Sequence, residues 1–250
     1  MKTVSLVVPC YNEELNIQKG VLDKIGNYVK HIPAVIEVII SDDGSNDASK
    51  TLIKQEYLPQ FPMFRLLENK HQGKAHTLIA AIREAKGEYV LFTDIDLATP
   101  IEEIERMLTE IERGTDIVIG SRKGTRQGAP LFRKIMAVGF IYIRNFMVGL
   151  HKIKDTQCGF KAFKTDVARR IIDRLIVFKK AQSLAGSSVA AGFDLEFLFL
   201  ATKLGYSITE IPVAWKHVET KNVNFIRDSV ETLKDIIRIK YYETTGAYQT

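Results

Sequence analysis

The first 120 residues alternate between short apolar runs and helix-like stretches, and this rhythm restricts the chain to few folds. Strand-like runs fall at Val4–Pro9, Val35–Ser41, Phe64–Leu67, Tyr89–Thr93 and Asp116–Gly120. Between them lie helix-like stretches near Glu13–Lys30, Asp47–Tyr57, Lys74–Lys86 and Ile101–Arg113. In the last, Ile101, Ile104, Leu108 and Ile111 recur at helical spacing. Such alternation predicts an α/β fold, a mostly parallel sheet with helices on both faces. With 250 residues, 46% of them apolar, and no repeat or long linker, one domain spanning 1–250 is expected.

In a sheet of this kind ligands bind beyond the carboxyl ends of the strands, so the residues at those ends matter most. Asp94 and Asp96 follow the run Glu88–Thr93. Residues two apart on a strand point the same way, so both carboxylates are expected to face one crevice. Two oxygen ligands there suit Mg²⁺ or Mn²⁺ bridging phosphates. The plainer alternative is one capping Asp and one solvated Asp. Thr99, Pro100 and Glu102 read as a capped helix start with a capping box.

Three further strand ends carry polar chemistry. After the first, Pro9 stops the ladder, Tyr11 offers an aromatic face for a base, and Asn12 and Glu13 offer hydrogen bonds to base or ribose. After the second, Asp42 and Asp43 precede Gly44, placed to accept from a base N–H or a ribose hydroxyl. Gly73-Lys74 opens the third helix, where free N–H groups and a lysine can meet a diphosphate. It is not a Walker loop, and no Gly-x-Gly-x-x-Gly is present, which argues against a nicotinamide or flavin enzyme.

The second half changes character. A basic loop, Gly120–Pro130, leads into an apolar helix expected over Leu131–Leu150, where Arg133, Arg144 and His151 fall on one stripe. Ile226, Val230, Leu233, Ile237 and Tyr241 mark a last helix, read as a core-facing surface helix. Residues 121–180 hold 15 Lys and Arg against three acids, a net of +12 in a chain of total +5, so the remainder is net −7. That asymmetry predicts an anionic partner, and without a nucleic-acid recognition motif an anionic membrane face or a phosphorylated lipid fits best. No stretch reaches the ~18–20 apolar residues of a spanning helix. Cys10 and Cys158 lack metal-ligand spacing and read as reduced thiols of a cytoplasmic protein.

Taken together, Val8-Pro-Cys-Tyr-Asn-Glu-Glu14, Asp42-Asp-Gly-Ser45, Gly73-Lys74, Asp94-Ile-Asp96, Gly120-Ser-Arg122 and Asp155-Thr-Gln-Cys-Gly-Phe160 resemble the inverting GT-A glycosyltransferases that charge polyprenyl phosphates. Asp155–Phe163, Phe193–Glu196, Glu210–Trp215 and Tyr241–Tyr248 look most like the dolichyl-phosphate β-glucosyltransferases. The sister mannosyltransferases carry a glutamine where this chain has Ala98, which favours the glucosyl branch over a GDP-mannose donor. The eukaryotic glucosyl enzymes begin with a membrane anchor, and its absence from this sequence leads us to expect a prokaryotic-type relative, peripheral on the cytoplasmic face of a membrane.

The resemblance implies a UDP-sugar donor and a polyprenyl or dolichyl phosphate acceptor. Residues 1–120 would form the nucleotide-sugar half and 121–250 the acceptor- and membrane-facing half. Pro9, Tyr11, Glu13, Asp42 and Asp43 would surround uridine, with Asp94 and Asp96 on ribose and metal. Arg122 and Arg133 are the expected phosphate clamps, and Asp155 the catalytic carboxylate, orienting a clamp or taking a proton. Asp194 and Glu196 stand behind it. A nucleotidyltransferase would need a glycine-rich basic loop after the first strand, and Pro9–Glu13 is not one. A non-catalytic sugar-nucleotide-binding module and a soluble-acceptor transferase are the remaining readings.

Overall fold

In the computed structural model, residues 1–122, 131–181, 189–216 and 225–248 are described; the side chains of 131–138, 140, 180–181, 189–191 and 225–229 lie outside the description. Strands β1 (Val4–Cys10), β2 (Val35–Asp42), β3 (Phe64–Glu68), β4 (Tyr89–Phe92), β5 (Ile117–Arg122), β6 (Lys161–Lys164) and β7 (Ile208–Val213) form one sheet in the order β3-β2-β1-β4-β6-β5-β7. All pairings are parallel except those of β6, which runs antiparallel between β4 and β5. The expected mostly parallel sheet is present, and the two halves of the sequence share it.

Alternation along the strands sorts side chains into two cores, as a sheet covered on both faces requires. Val7, Ile39, Val90 and Phe92 pack on one face with Phe163 and Phe197, while Leu6, Val8, Val38, Ile40 and Leu91 pack on the other with Ile25 and Ile104. The helices differ from expectation in detail. Gly20, at φ 76°, breaks the Glu13–Lys30 stretch into Glu14–Gln18 and Val21–Val29. The stretch near Asp47–Tyr57 begins at Ser49 and runs into a π-helical turn, Ile53–Tyr57. No capping box forms before Ile101: Thr99 is buried, Pro100 holds the cap position, and a 3₁₀ turn Ile101–Glu103 precedes helix Ile104–Glu112.

The later helices are Leu131–Val148, Thr165–Arg174, Val177–Ala181, Val189–Lys203 and Phe225–Thr244. The proposed stripe on Leu131–Val148 does not hold. Arg144 is buried, and its guanidinium donates to Asn145 Oδ1 at 2.8 Å and to the Ile153 carbonyl, tying the helix end to the loop behind it. Outside stand Tyr142 and Phe146, 72% and 87% exposed. Among the described residues no helix is long and apolar enough to cross a membrane.

Candidate active site

The ends of β1 and β2 are stapled together by side chains that the sequence offered as ligands. Asn12 sits at φ 54°, a conformation Asn tolerates better than most residues. Its N–H donates to Ser45 Oγ at 2.9 Å and its Oδ1 accepts from the Asn46 N–H at 2.9 Å. Asn12 therefore shapes the loop, and its carbonyl oxygen is already committed to protein. The Glu13 N–H donates to Ser49 Oγ, and the Glu13 carboxyl is raised above its usual range by burial, with Asp96, Asp47 and Asp94 nearby. Pro9 is half-buried at the strand end.

Asp42 is fully buried. Its Oδ2 accepts the N–H groups of Gly44 (2.9 Å) and Ser45 (3.0 Å), while Oδ1 has no partner. A buried carboxylate oxygen without a donor costs roughly 1–3 kcal/mol, so Asp42 holds the loop at the expense of one unpaired oxygen. Asp43 does a different task. Its oxygens accept from the Gln72 and Gly73 N–H groups, both at 2.9 Å, and Oδ2 lies 3.0 Å from His71 Nδ1. Asp43 thus pins the 71–73 loop, which stacks the His71 ring on Tyr11 with centroids 4.3 Å apart and planes 14° from parallel. His71 joins the aromatic surface that Tyr11 alone was expected to supply. Its only signal in the sequence was its place one turn before Gly73-Lys74.

β4 ends at Phe92, so strand alternation is not what aligns Asp94 with Asp96. A tight turn does it: the Leu97 N–H returns to the Asp94 carbonyl at 3.1 Å, Leu97 takes φ 48°, and the Ala98 N–H donates to Asp96 Oδ1 at 2.9 Å. The Lys74 ammonium, at the start of helix Lys74–Glu84, pairs with Asp94 Oδ1. Burial works to raise the Asp94 carboxyl, but Lys74, then Lys161 and Arg122, hold it below the usual range. The Asp96 carboxyl is raised instead, by burial and then by Asp94. Behind the pair stands Gly159, where a Cβ would lie 2.1 Å from Asp94 Oδ2. Only glycine lets that carboxylate pack there.

Across the sheet edge, the Arg122 guanidinium donates from Nε to Asp155 Oδ2 (2.6 Å) and from Nη2 to Oδ1 (2.8 Å), a bidentate pair. Trp215, the chain's single tryptophan, lies with its ring centroid 5.7 Å from the same guanidinium. The Ala214 N–H donates to Glu103 and the Lys216 N–H to the Ala98 carbonyl, so the tryptophan is carried on a segment tied to the acid turn. Burial works to raise the Asp155 carboxyl, yet its hydrogen bonds from Arg122 hold it low. A carboxylate so paired fixes the direction of the guanidinium.

Of the two reserves, Asp194 receives the buried Lys161 ammonium at 2.9 Å. Glu196 is removed: it is fully buried and accepts the N–H groups of Ile176, Val177 and Phe178 and the hydroxyl of Tyr248. It caps a helix and touches nothing reactive. The side chain of Arg133 lies outside the described residues, as does the loop 123–130.

Among the described residues no three or more His, Cys, Asp or Glu side chains form a metal cage. Asp94 and Asp96 nevertheless fit a hard divalent ion that takes one or two protein carboxylates and fills its remaining positions with phosphate oxygens and water. An aromatic stack, an acid pair and an arginine clamp meet at the carboxyl edge of one sheet, the place where α/β folds bind their ligands, and define an α/β ligand site.

The comparisons carry this to a family. The model of Glycosyl transferase family 2 matches residues 5–172, and the chain belongs to that family. It is 32% identical to the dolichyl-phosphate β-glucosyltransferase of Dictyostelium discoideum, over 98% of this chain and 76% of that one. To the human protein of that name it is 31% identical, over 99% and 78%. Among solved structures, glucosyl-3-phosphoglycerate synthase from Mycobacterium tuberculosis with Mn²⁺, UDP-glucose and phosphoglyceric acid superposes at TM-score 0.69 with 17% identity, over 96% of this chain and 80% of that one. Mannosyl-3-phosphoglycerate synthase from Rubrobacter xylanophilus gives 0.67 with 15% identity, over 98% and 76%. The fold is GT-A, and the enzyme is a glycosyltransferase. Because glucosyl and mannosyl enzymes share this fold, the fold does not choose the sugar.

Proposed function

We propose that this enzyme transfers glucose from UDP-glucose to a polyprenyl or dolichyl phosphate, with inversion at the anomeric carbon. The observation that carries the proposal is the meeting, at one sheet edge, of the Asp94/Asp96 pair with an Arg122 clamp aimed by Asp155. Arg122 lies near enough to Asp94 to stabilise its ionised form. Relatives bearing the dolichyl-phosphate β-glucosyltransferase name along nearly the whole chain support the same sugar and acceptor, as does Ala98.

In this reading Tyr11 and His71 face the uracil ring and the bare Asp42 Oδ1 accepts from it. Gly73 and Lys74 meet the diphosphate. Asp94 and Asp96 would hold Mg²⁺ or Mn²⁺, which would supply Lewis-acid charge compensation for a diphosphate leaving group. An oxygen of the lipid phosphate attacks the anomeric carbon from the opposite side as the bond to the β-phosphate oxygen breaks. That phosphate already carries about −1.5 to −2 charges at neutral pH, so no general base is needed. Arg122, with Arg133, holds the incoming anion. We expect Arg133→Ala to lower transfer while UDP-glucose binding by calorimetry stays nearly intact; equal loss of both would remove Arg133 from the acceptor side.

The acceptor is a lipid, and the second half presents groups that suit an anionic bilayer surface. Tyr142, Phe146, Ile237 and Tyr241 are exposed on helices Leu131–Val148 and Phe225–Thr244, which pack on each other, and the first of these helices lies within the strongly basic block 121–180. This reading puts the enzyme on the cytoplasmic face as a peripheral protein. A labelled donor panel tests the whole: UDP-glucose, UDP-N-acetylglucosamine and GDP-mannose, each with a short polyprenyl phosphate in detergent. We expect label in lipid from UDP-glucose alone. Preference for GDP-mannose, or for soluble acceptors, would overturn the proposal.

A further inference from the structure

The Lys74 ammonium rests on Asp94 Oδ1. The other oxygen, Oδ2, lies against Gly159, where an added Cβ would stand 2.1 Å from it. A cation approaching Oδ1 therefore meets Lys74 first. On Asp96, Oδ1 is similarly engaged by the Ala98 N–H. The surrounding charge is finely divided: Asp94, Asp96 and Asp194 stand among Lys74, Lys161 and Arg122, with Lys161 paired to Asp194 and Arg122 to Asp155.

We propose that Lys74 is a placeholder for the divalent cation, surrendering Asp94 only when a diphosphate arrives to take its ammonium. The inference rests on the reading of Asp94 and Asp96 as a metal seat beside a nucleoside diphosphate. A divalent ion and an ammonium cannot share one carboxylate oxygen without strong repulsion, because like charges at contact distance in a half-buried site are poorly screened. Lysine suits the exchange. Its ammonium is a point charge on a long flexible stem, and helix Lys74–Glu84 holds the base of that stem beside the acid turn. With diphosphate present, the ammonium has a new anion and the metal gains phosphate oxygens. The nucleotide-free enzyme therefore holds metal weakly, and metal and nucleotide bind as a pair. Linkage makes the coupling reciprocal: whatever UDP adds to metal affinity, metal adds to UDP affinity.

The sign of the mutant effect sets this apart from an ordinary ligand role. Removing the lysine charge should tighten metal binding in the absence of nucleotide. Mn²⁺ titrations followed by electron paramagnetic resonance, with and without UDP, read this without turnover. We expect Lys74→Met and Lys74→Gln alike to bind Mn²⁺ alone about tenfold more tightly than wild type, within the range usual for coupled sites, and the gain on adding UDP to shrink by a similar factor. Lys74→Arg, which keeps the charge, should bind Mn²⁺ alone as weakly as wild type. If both neutral variants bind Mn²⁺ alone no better than wild type while UDP still promotes wild-type binding, the placeholder role is wrong and the metal seat stands. If UDP promotes no Mn²⁺ binding in wild type, and Asp96→Asn behaves the same, the metal seat fails and this inference fails with it.

Discussion

The two flanks of the site are built with opposite polarity. On the β1–β2–β4 flank the functional groups are carboxylates, and backbone N–H groups hold them: Asp42 by Gly44 and Ser45, Asp43 by Gln72 and Gly73, Asp96 by Ala98. On the β5–β6–β7 flank the functional groups are cations, and carboxylates hold them: Arg122 by Asp155, Lys161 by Asp194. N–H groups fix an acid without cancelling its charge, so the first flank stays receptive to a cation and to ligand donors. A carboxylate partner fixes the direction of an arginine, at the cost of part of its charge. The second flank gives up field strength for aim. Lys74, a cation paired with Asp94 of the acid flank, crosses between the two styles.

If the flanks divide the work in this way, the largest loss follows damage to the acid turn. Asp96→Asn should lower metal-dependent transfer by roughly 10²–10³-fold, the scale for losing one electrostatic partner of a developing charge. Unchanged turnover at limiting metal would remove Asp96 from the site. Gly159→Ala comes next, because its Cβ must push Asp94 aside; transfer and Mn²⁺ affinity should both fall, by about 10–100-fold. On the other flank, Asp155→Asn should mis-aim Arg122 and reduce turnover by roughly tenfold or more, while UDP affinity in calorimetry changes little. A matching loss of UDP affinity would blur the division.

Smaller effects on stability sharpen the same contrast. Asp96 is raised, so the folded enzyme binds that proton more tightly than the unfolded chain; its favourable contribution is present at low pH and is lost as pH rises through the raised value. Asp96→Asn should therefore raise Tm at pH 7. Asp155 is lowered, and the sign reverses: its contribution is present above the unfolded carboxylate value and is lost as pH falls through the lowered one. Asp155→Asn should lower Tm at pH 7 and not at strongly acid pH. Thermal melts of both variants across pH check both signs. Least of all, Cys10, its thiol pushed up to about 12 by burial and nearby acids, and Cys158, raised by burial, should resist maleimide in the native enzyme and react once it is unfolded.

The strands of the first flank were legible; on the second, β5 and the pairing of Arg122 with Asp155 were legible, while β6 and β7 were not. β1, β2 and β4 are mostly apolar runs with polar residues at or just beyond their carboxyl ends, Asn12, Asp42 and Asp94, so both their existence and their site-facing ends could be read. β6 is only four residues long with a lysine at each end, and Lys161 is buried through an ion pair that no periodicity reveals. β7 carries Pro212 and survives as an edge strand, where a missing N–H is tolerated. Strand alternation does not bring Asp94 and Asp96 together as expected, since β4 ends at Phe92 and the turn at Leu97 needs a backbone conformation that sequence does not announce. Glu196 shows the opposite failure: an acid beside a plausible motif, wholly consumed in holding a helix start.

The antiparallel β6 also has a consequence for how the enzyme is made. β5 pairs only with β6 and β7, and both follow it in the chain. A ribosome that has released residues 1–122 has therefore exposed a finished strand with nowhere to dock, beside the open edge of β4. Until Lys161–Lys164 emerges to fill the gap, the nascent chain carries the open edge of β4 and both edges of β5 unpaired, and the moment of greatest risk of misassociation lies midway through synthesis.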